Sequence, residues 1–355
     1  MPEENREKEV SDLTQIKIFV GFIAAVIIVI ILQELKSIFI PLFMALLLYF
    51  FFNGVVKRLL RLKVPIALVL LFLLVFIFIV FYFFGVLIYA GASSFVDKFP
   101  AYSDKITAAV KSLFDQLKLS IPDLDKYIDT VDWSKSIDTS AITSIISSTF
   151  GSFAAFIGNL AMVLIFLMFM LAGRNALTAR ITKAFDENQA DKIKYVINSI
   201  EDQVQHYLLI KTFVSFLTGL IGGIILFAGQ FDFVIFSALL IFVLNFIPNF
   251  GSIIATLFPI LIGFLKFGFS LRVLVVALGL ILTQFSIGNI IEPKITGRSL
   301  NLSPIVILIS LIFWWYVWGI VGMMLAVPLT SALKIFFQNI PALRPIAEII
   351  SAERG

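Results

Sequence analysis

The chain has 355 residues, 60% of them hydrophobic and only 14% charged, with a formal net charge of +4. Soluble domains carry about 25% charged residues, so that class is excluded, and the small positive balance is loop charge rather than a nucleic-acid-binding face. The absence of cysteine and the single histidine remove disulfides, thiol-held metals and any His-built catalytic or metal centre, and no cofactor motif or nucleophile–base pattern is present.

In chain order, residues 1–12 contain five acids and read as a short disordered tail rather than a cleaved signal. Apolar runs over 16–32 and 38–56 predict the first two membrane spans, with Pro41 near the start of the second, where proline is tolerated. Lys57, Arg58, Arg61 and Lys63 follow with no acid among them, which marks a cytoplasmic loop and, by parity, a cytoplasmic N-terminus. The third span, 64–90, is long and Phe-rich and should tilt or project beyond the bilayer. Residues 1–92 thus form one unit of tail and three spans.

Residues 93–149 break the apolar pattern and by parity lie outside the membrane. Phe95, Phe99, Tyr102, Ile106, Ala109 and Leu113 recur at three–four spacing, the mark of an amphipathic helix. Pro122 and an Asp-rich run over 123–138 follow; this run lacks calcium-loop spacing and reads as solvated loop. The apolar stripe is expected to pack on the protein itself or on a second copy, which makes a homo-oligomer one outcome.

Residues 150–206 hold a fourth span, 150–172, and a cytoplasmic amphipathic helix through Ile193, Ile200, Val204 and Tyr207 that runs straight into the fifth span. His206 sits at that junction and reads as an interfacial residue rather than a pH sensor. The fifth span, 208–227, contains Gly219, Gly222 and Gly223, which allow close helix approach, and Lys211 near its inner end, expected to snorkel to the headgroups.

Residues 207–338 are the core unit. An apolar segment over 231–265 is interrupted at Pro248, Asn249, Phe250 and Gly251, and another over 304–337 is interrupted at Trp318 and Gly319, with Pro328 beyond. Each half is about 15 residues, roughly 22 Å of helix, against a bilayer core of about 30 Å. The halves are therefore read as re-entrant helical hairpins or, with the same parity, as tightly turned double spans. A span at 271–291 separates them, for about eight membrane segments in an all-α polytopic membrane protein. Residues 208–265 and 271–337 then form an inverted repeat, the architecture in which Gly/Pro-interrupted segments build a transport site. Lys266 and Arg272 fall in the outer loop, against the positive-inside trend. Residues 339–355 form a cytoplasmic C-terminal tail.

Uncharged amides and one carboxylate mark the candidate pathway. Asn245 and Asn249 flank the first break, Gln284 and Asn289 lie on the intervening span, and Glu292-Pro293 closes it. Amides in a membrane need partners and can offer donors and acceptors to a polar solute. Each also fits plain helix–helix hydrogen bonding. Glu292 fits either a proton or cation carrier or a helix-end residue paired with Lys294 or Arg298.

Three blocks, LNFIPNFG, GNIIEPKITGRSLNLSP and GIVGMMLAVPLTSALK, resemble the signature blocks of the autoinducer-2 exporter family of bacterial membrane proteins, also termed PerM-type permeases. They carry Asn245, Pro248, Gly251, Glu292, Pro293, Gly319 and Pro328. The resemblance implies secondary transport without a cofactor in a bacterial inner membrane. The partners it implies are the lipid bilayer and a small polar solute such as autoinducer-2, or a monovalent cation in sodium (lithium)/proton antiport. Ser252, Ser303 and the run Trp314, Trp315, Tyr316 and Trp318 depart from the family pattern. A non-transporting or channel-like assembly is the alternative from a different class.

Overall fold

The computed structural model describes residues 3–116, 153–296 and 301–352. Among them every element of regular structure is helical. Helix α1 spans Glu3–Glu34, α2 Lys36–Arg61, α3 Ile66–Gln116, α4 Phe153–Ala184 and α5 Glu187–Ala228. The core unit continues with α6 (Val234–Leu244), α7 (Phe250–Phe267) and α8 (Leu271–Ser286). A π-helical stretch (Ile287–Ile291), α9 (Glu292–Thr296), α10 (Pro304–Gln338) and α11 (Arg344–Ile350) complete the chain. Among the described residues six helices are long and apolar enough to cross a bilayer, and seven if the bent α4 is counted, while 19–34 and α6 are shorter apolar helices. About eight membrane segments were expected, the two interrupted ones among them.

One expectation, at the start of the chain, is corrected. The acidic N-terminal stretch is helical from Glu3, as befits a run of Glu, Lys and Arg with good helix propensity. The third span, Ile66–Phe95, lies close to the expected 64–90, and its helix runs on without a break as the 51-residue α3, about 76 Å, into the amphipathic stripe. Gly91, Ser93 and Ser94 are small but none removes a backbone donor, so the helix has no reason to stop there. The Asp-rich run and Pro122 lie outside the described residues. Helix α4 bends by 57° between Gly173 and Ala176, where the fourth span was expected to end and the cytoplasmic segment to begin. The amphipathic helix before the fifth span does run into it without a break, as α5.

Helix α5 is the axis of the molecule. Its first half packs with α2 and α4 around Phe52, Val56, Leu167 and Val204. Its second half accepts α6, α7 and α8 around Leu226, Ile241, Ala255 and Leu280. The glycines explain the closeness of α6. A methyl group at Gly219 would stand 2.8 Å from the carbonyl oxygen of Ala238, and one at Gly222 2.8 Å from the Ile241 side chain. Helix α3 meets α6 the same way, with Gly91 against Phe236. At one end of the unit Lys57 pairs with Glu201 at 3.2 Å. At the other, Asp232 accepts from Tyr102 Oη at 2.5 Å and from Lys266 Nζ at 3.0 Å. Lys266 and Arg272 are thus part of a local cluster around the α5–α6 connection, which accounts for cations where the loop pattern did not call for them.

Candidate solute and ion site

Both interrupted segments contain a sharp turn. In the first, α6 ends at Leu244 and α7 begins at Phe250, with Asn249 at positive φ (φ 63°, ψ −61°) between them and the Phe250 N–H donating to the Pro248 carbonyl. In the second, α10 loses helical geometry at Trp318 (φ −133°, ψ 16°) and Gly319 (φ 63°, ψ −144°). The Gly319 conformation is one that only glycine adopts without strain. The chain reverses here: Trp314 Nε1 donates to Thr330 Oγ1 at 3.2 Å across a separation of 16 residues. A straight helix would hold those residues about 24 Å apart. The two turns share a device. A side chain at Gly251 would collide with the carbonyl of Leu244, and one at Gly322 with the carbonyl of Trp314. In each, a glycine shortly after the turn lets the returning helix touch the backbone of the outgoing one.

The turns meet. Leu244 and Ile247 of the first pack into one core with Leu311, Trp314, Val317 and Trp318 of the second, closed off by Phe43 and Leu32. Trp318 Nε1 donates to the carbonyl of Leu32 at 2.9 Å, and the Trp318 and Phe43 rings lie 5.2 Å apart. The meeting surface is aromatic and aliphatic. The expected polar groups gather beside it, on α5.

One face of α5 carries Tyr207, Lys211, Ser215 and Thr218, all buried, at spacings of four, four and three. Two predicted site residues from different elements dock on this stripe. Glu292 Oε1 accepts from Lys211 Nζ at 2.7 Å, and Tyr207 lies within electrostatic reach of the same carboxylate. Asn245 Nδ2 donates to Ser215 Oγ at 3.0 Å, one helical turn away along α5. The lysine side chain is only 5% exposed and the glutamate 22%. Lys211 therefore does not snorkel: in apolar surroundings a carboxylate within reach is a better partner than a distant interface. Nor does Glu292 depend on Lys294, which is exposed; Arg298 lies outside the described residues.

Pro293 explains how Glu292 is aimed. A proline lacks its N–H and its ring presses on the carbonyl four residues back. The chain widens into the π stretch Ile287–Ile291 immediately before it, and the Glu292 N–H reaches the Ile287 carbonyl. Ile287 seats this bulge against Ile210 and Val214. Such π-bulges recur at functional sites.

The remaining candidates separate. Gln284 shares a helix face with Leu280 and Ile287, which touch α5 at Gly222 and Val214, and its Nε2 is buried without a hydrogen-bond partner among the described residues. Pro248 is half-buried in the first turn and Pro328 is buried in the second half of α10. Asn249, Asn289 and Pro293 are exposed, so Asn249 and Asn289 do not join the polar stripe. His206 is exposed on α5, away from that face. Sequence reasoning missed Ser215, Tyr207 and the inward turn of Lys211. The signal available was their helical register with one another, a polar line on an otherwise apolar span.

The model of the AI-2E family transporter matches residues 16–342. A Haemophilus influenzae protein is 32% identical over 322 residues, covering 90% of this chain and 92% of its own length. The AI-2 transport protein TqsA of Escherichia coli is 30% identical over 346 residues, covering 97% and 98%. A Borreliella burgdorferi protein is 31% identical over 312 residues, covering 87% and 83%. With a family match running through nearly all its helices, this multi-pass membrane protein belongs to the AI-2E transporter family and serves membrane transport.

Proposed function

We propose that the chain exports a small polar solute by secondary-active alternating access, with its two broken segments acting as re-entrant hairpins. Neither α6 nor the piece of α10 before Gly319, each well under 20 residues, is long enough to cross a bilayer core. Two short hairpins whose turns touch can each open to one compartment while the other stays shut. The observation that carries the reading is the docking of Glu292 and Asn245 on adjacent turns of α5, beside the contact between the hairpin turns. Each pair holds groups that can exchange partners with a solute: a hydroxyl and amide at Ser215–Asn245, a charge pair at Lys211–Glu292. Gln284 supplies a buried amide donor on the neighbouring helix α8.

Similarity to an AI-2 transport protein makes autoinducer-2 the first solute to test. In this reading the membrane is the bacterial inner membrane, with both termini cytoplasmic. The test is efflux of autoinducer-2 from proteoliposomes by the wild type, by Asn245→Ala and by Glu292→Gln. Loss of flux in both variants with intact folding supports the site; unchanged flux in both removes it.

A second reading, sodium or lithium/proton antiport, is favoured by one observation, a carboxylate and an amine in direct contact in a largely dry site. Sodium addition to acid-loaded vesicles collapses the pH gradient in that case and leaves it unchanged in the first.

A further inference from the structure

An apolar cleft of about 500 Å³ lies between α3, α5 and α6, on the side of α5 away from the polar stripe. Its walls include Phe83, Leu87, Leu220, Ile224, Ile235 and Ala238, and every lining residue is apolar. Phe83, Ile224 and Ile235 are each more than half exposed, so the cleft opens sideways. The volume falls within the roughly 300–1,000 Å³ of ligand pockets, but a small polar solute has nothing to bond to here. In a membrane protein such an opening faces hydrocarbon.

Along α3 the cleft leads to charge. Leu87, Ala90, Ser94 and Lys98 repeat at three–four spacing on one face, and Ala90 and Ser94 are too small to block the way. Lys98 stands eleven residues beyond Leu87, about 16 Å along the axis. Its side chain is 52% exposed and lies 3.5 Å from Asp232, which Lys266 holds more closely at 3.0 Å. Lys105 donates to the Lys266 carbonyl and Arg272 to the Gln230 side chain. Four cations, Lys98, Lys105, Lys266 and Arg272, thus gather at this rim around the Asp232 carboxylate, which pairs with Lys98 and Lys266.

We propose that this cleft binds one anionic phospholipid, with an acyl chain between α3 and the α5–α6 pair and the phosphate at Lys98. A dry, chain-shaped wall ending after about 16 Å in a partly free lysine matches the layout of such a lipid. The gathered cations select an anionic headgroup over a zwitterionic one.

The test is native mass spectrometry of the detergent-purified full chain incubated with phosphatidylglycerol or with phosphatidylcholine of identical acyl chains. Phosphatidylglycerol should be retained about fivefold better, the factor that ~1 kcal/mol per lysine near an anionic lipid corresponds to. Lys98→Gln should abolish that preference, and Ile224→Trp or Leu220→Trp, which fill the cleft from an exposed position, should reduce retention of both lipids. Equal retention of the two headgroups by the wild type, or retention unmoved by both cleft-filling variants, overturns the proposal. So does occupation of the cleft by a second copy. Because the chain has no cysteine, Phe83→Cys and Ile235→Cys would then cross-link between copies with no lipid adduct present.

Discussion

Replacing Glu292 by Gln strips the charge from the Lys211 pair while keeping the shape of the side chain. The two groups are 2.7 Å apart, the lysine almost wholly buried and the glutamate about one-fifth exposed. Removing one partner of a buried pair costs about 3–5 kcal/mol, because the surviving ion stays desolvated without compensation. Here the amide oxygen can still accept from Lys211 and some water can reach the site, so the expected loss is at the low end, about 3 kcal/mol. At about 2 °C per kcal/mol for a large chain, Glu292→Gln should melt on the order of 6 °C below the wild type. Lys211→Met removes the other ion and should cost a similar amount. The double variant Lys211→Met/Glu292→Gln leaves no buried ion and should melt within about 2 °C of the wild type. Thermal unfolding in detergent reads the stabilities and proteoliposome efflux reads transport in the same preparations. Transport should stay lost in the double variant even though its stability returns, because in the proposed mechanism these charges face the solute or coupling ion. Additive destabilisation would refute the pairing energetics, and recovered flux would make the pair purely structural.

Other substitutions probe the supports of the site. Asn245→Ala strands the buried Ser215 hydroxyl and should cost about 1–3 kcal/mol, with most of it recovered in Asn245→Ala/Ser215→Ala. Gly319→Ala meets nothing within 4 Å, so its cost is backbone strain alone, about 1–3 kcal/mol, visible as a lower melting temperature without loss of the neighbouring core. Gly219→Val drives a branched side chain into the α6 backbone and should destabilise by about 1–3 kcal/mol or more, measured the same way. Burial alone would raise the pKa of Asp232, but hydrogen bonds from Tyr102 and Lys266 and the charges of Lys266 and Lys98 outweigh it and hold the carboxyl below its ordinary range. A depressed carboxylate contributes stability above its unfolded value, about 4, and loses it as pH falls through the folded value. Melting temperature should therefore be insensitive to Asp232 titration from pH 8 to about 5 and fall below about 4, and Asp232→Asn should flatten that acid limb.

The sequence made some of this legible and concealed the rest for definite reasons. Local rules found both turns: the run Pro248-Asn249-Phe250-Gly251 and Gly319 interrupt apolar segments, and the turns lie at or within a few residues of the expected positions. The continuity of α5 was legible because its apolar period passes unbroken from Ile193 through Tyr207. The glycines at 219, 222 and 223 announced close packing correctly, though not that α6 would be the partner. Lys211 was misread because a lysine a few residues inside an apolar span looks the same whether it snorkels out or turns in. Its partner, Glu292, is 81 residues away, and only the fold brings them together. Ser215 gave no signal by itself, since an isolated serine in an apolar helix usually bonds its own backbone, as Thr218 does with the Val214 carbonyl. The interrupted segments were expected to build a transport site from the polar residues at and between them. Tryptophans fill the contact between the turns and the polar groups sit one layer away on α5, an arrangement set by side-chain packing that periodicity does not encode.

The most direct test of the account joins the two turns. In the naturally cysteine-free chain, Ile247→Cys and Trp318→Cys can be bridged by a short bifunctional thiol reagent cleavable by reductant. The account predicts efficient intramolecular cross-linking, loss of solute flux while the bridge is intact, and recovery of flux on reduction. Failure to cross-link would contradict the convergence of the turns, and full flux through the bridged protein would contradict their role as alternating gates.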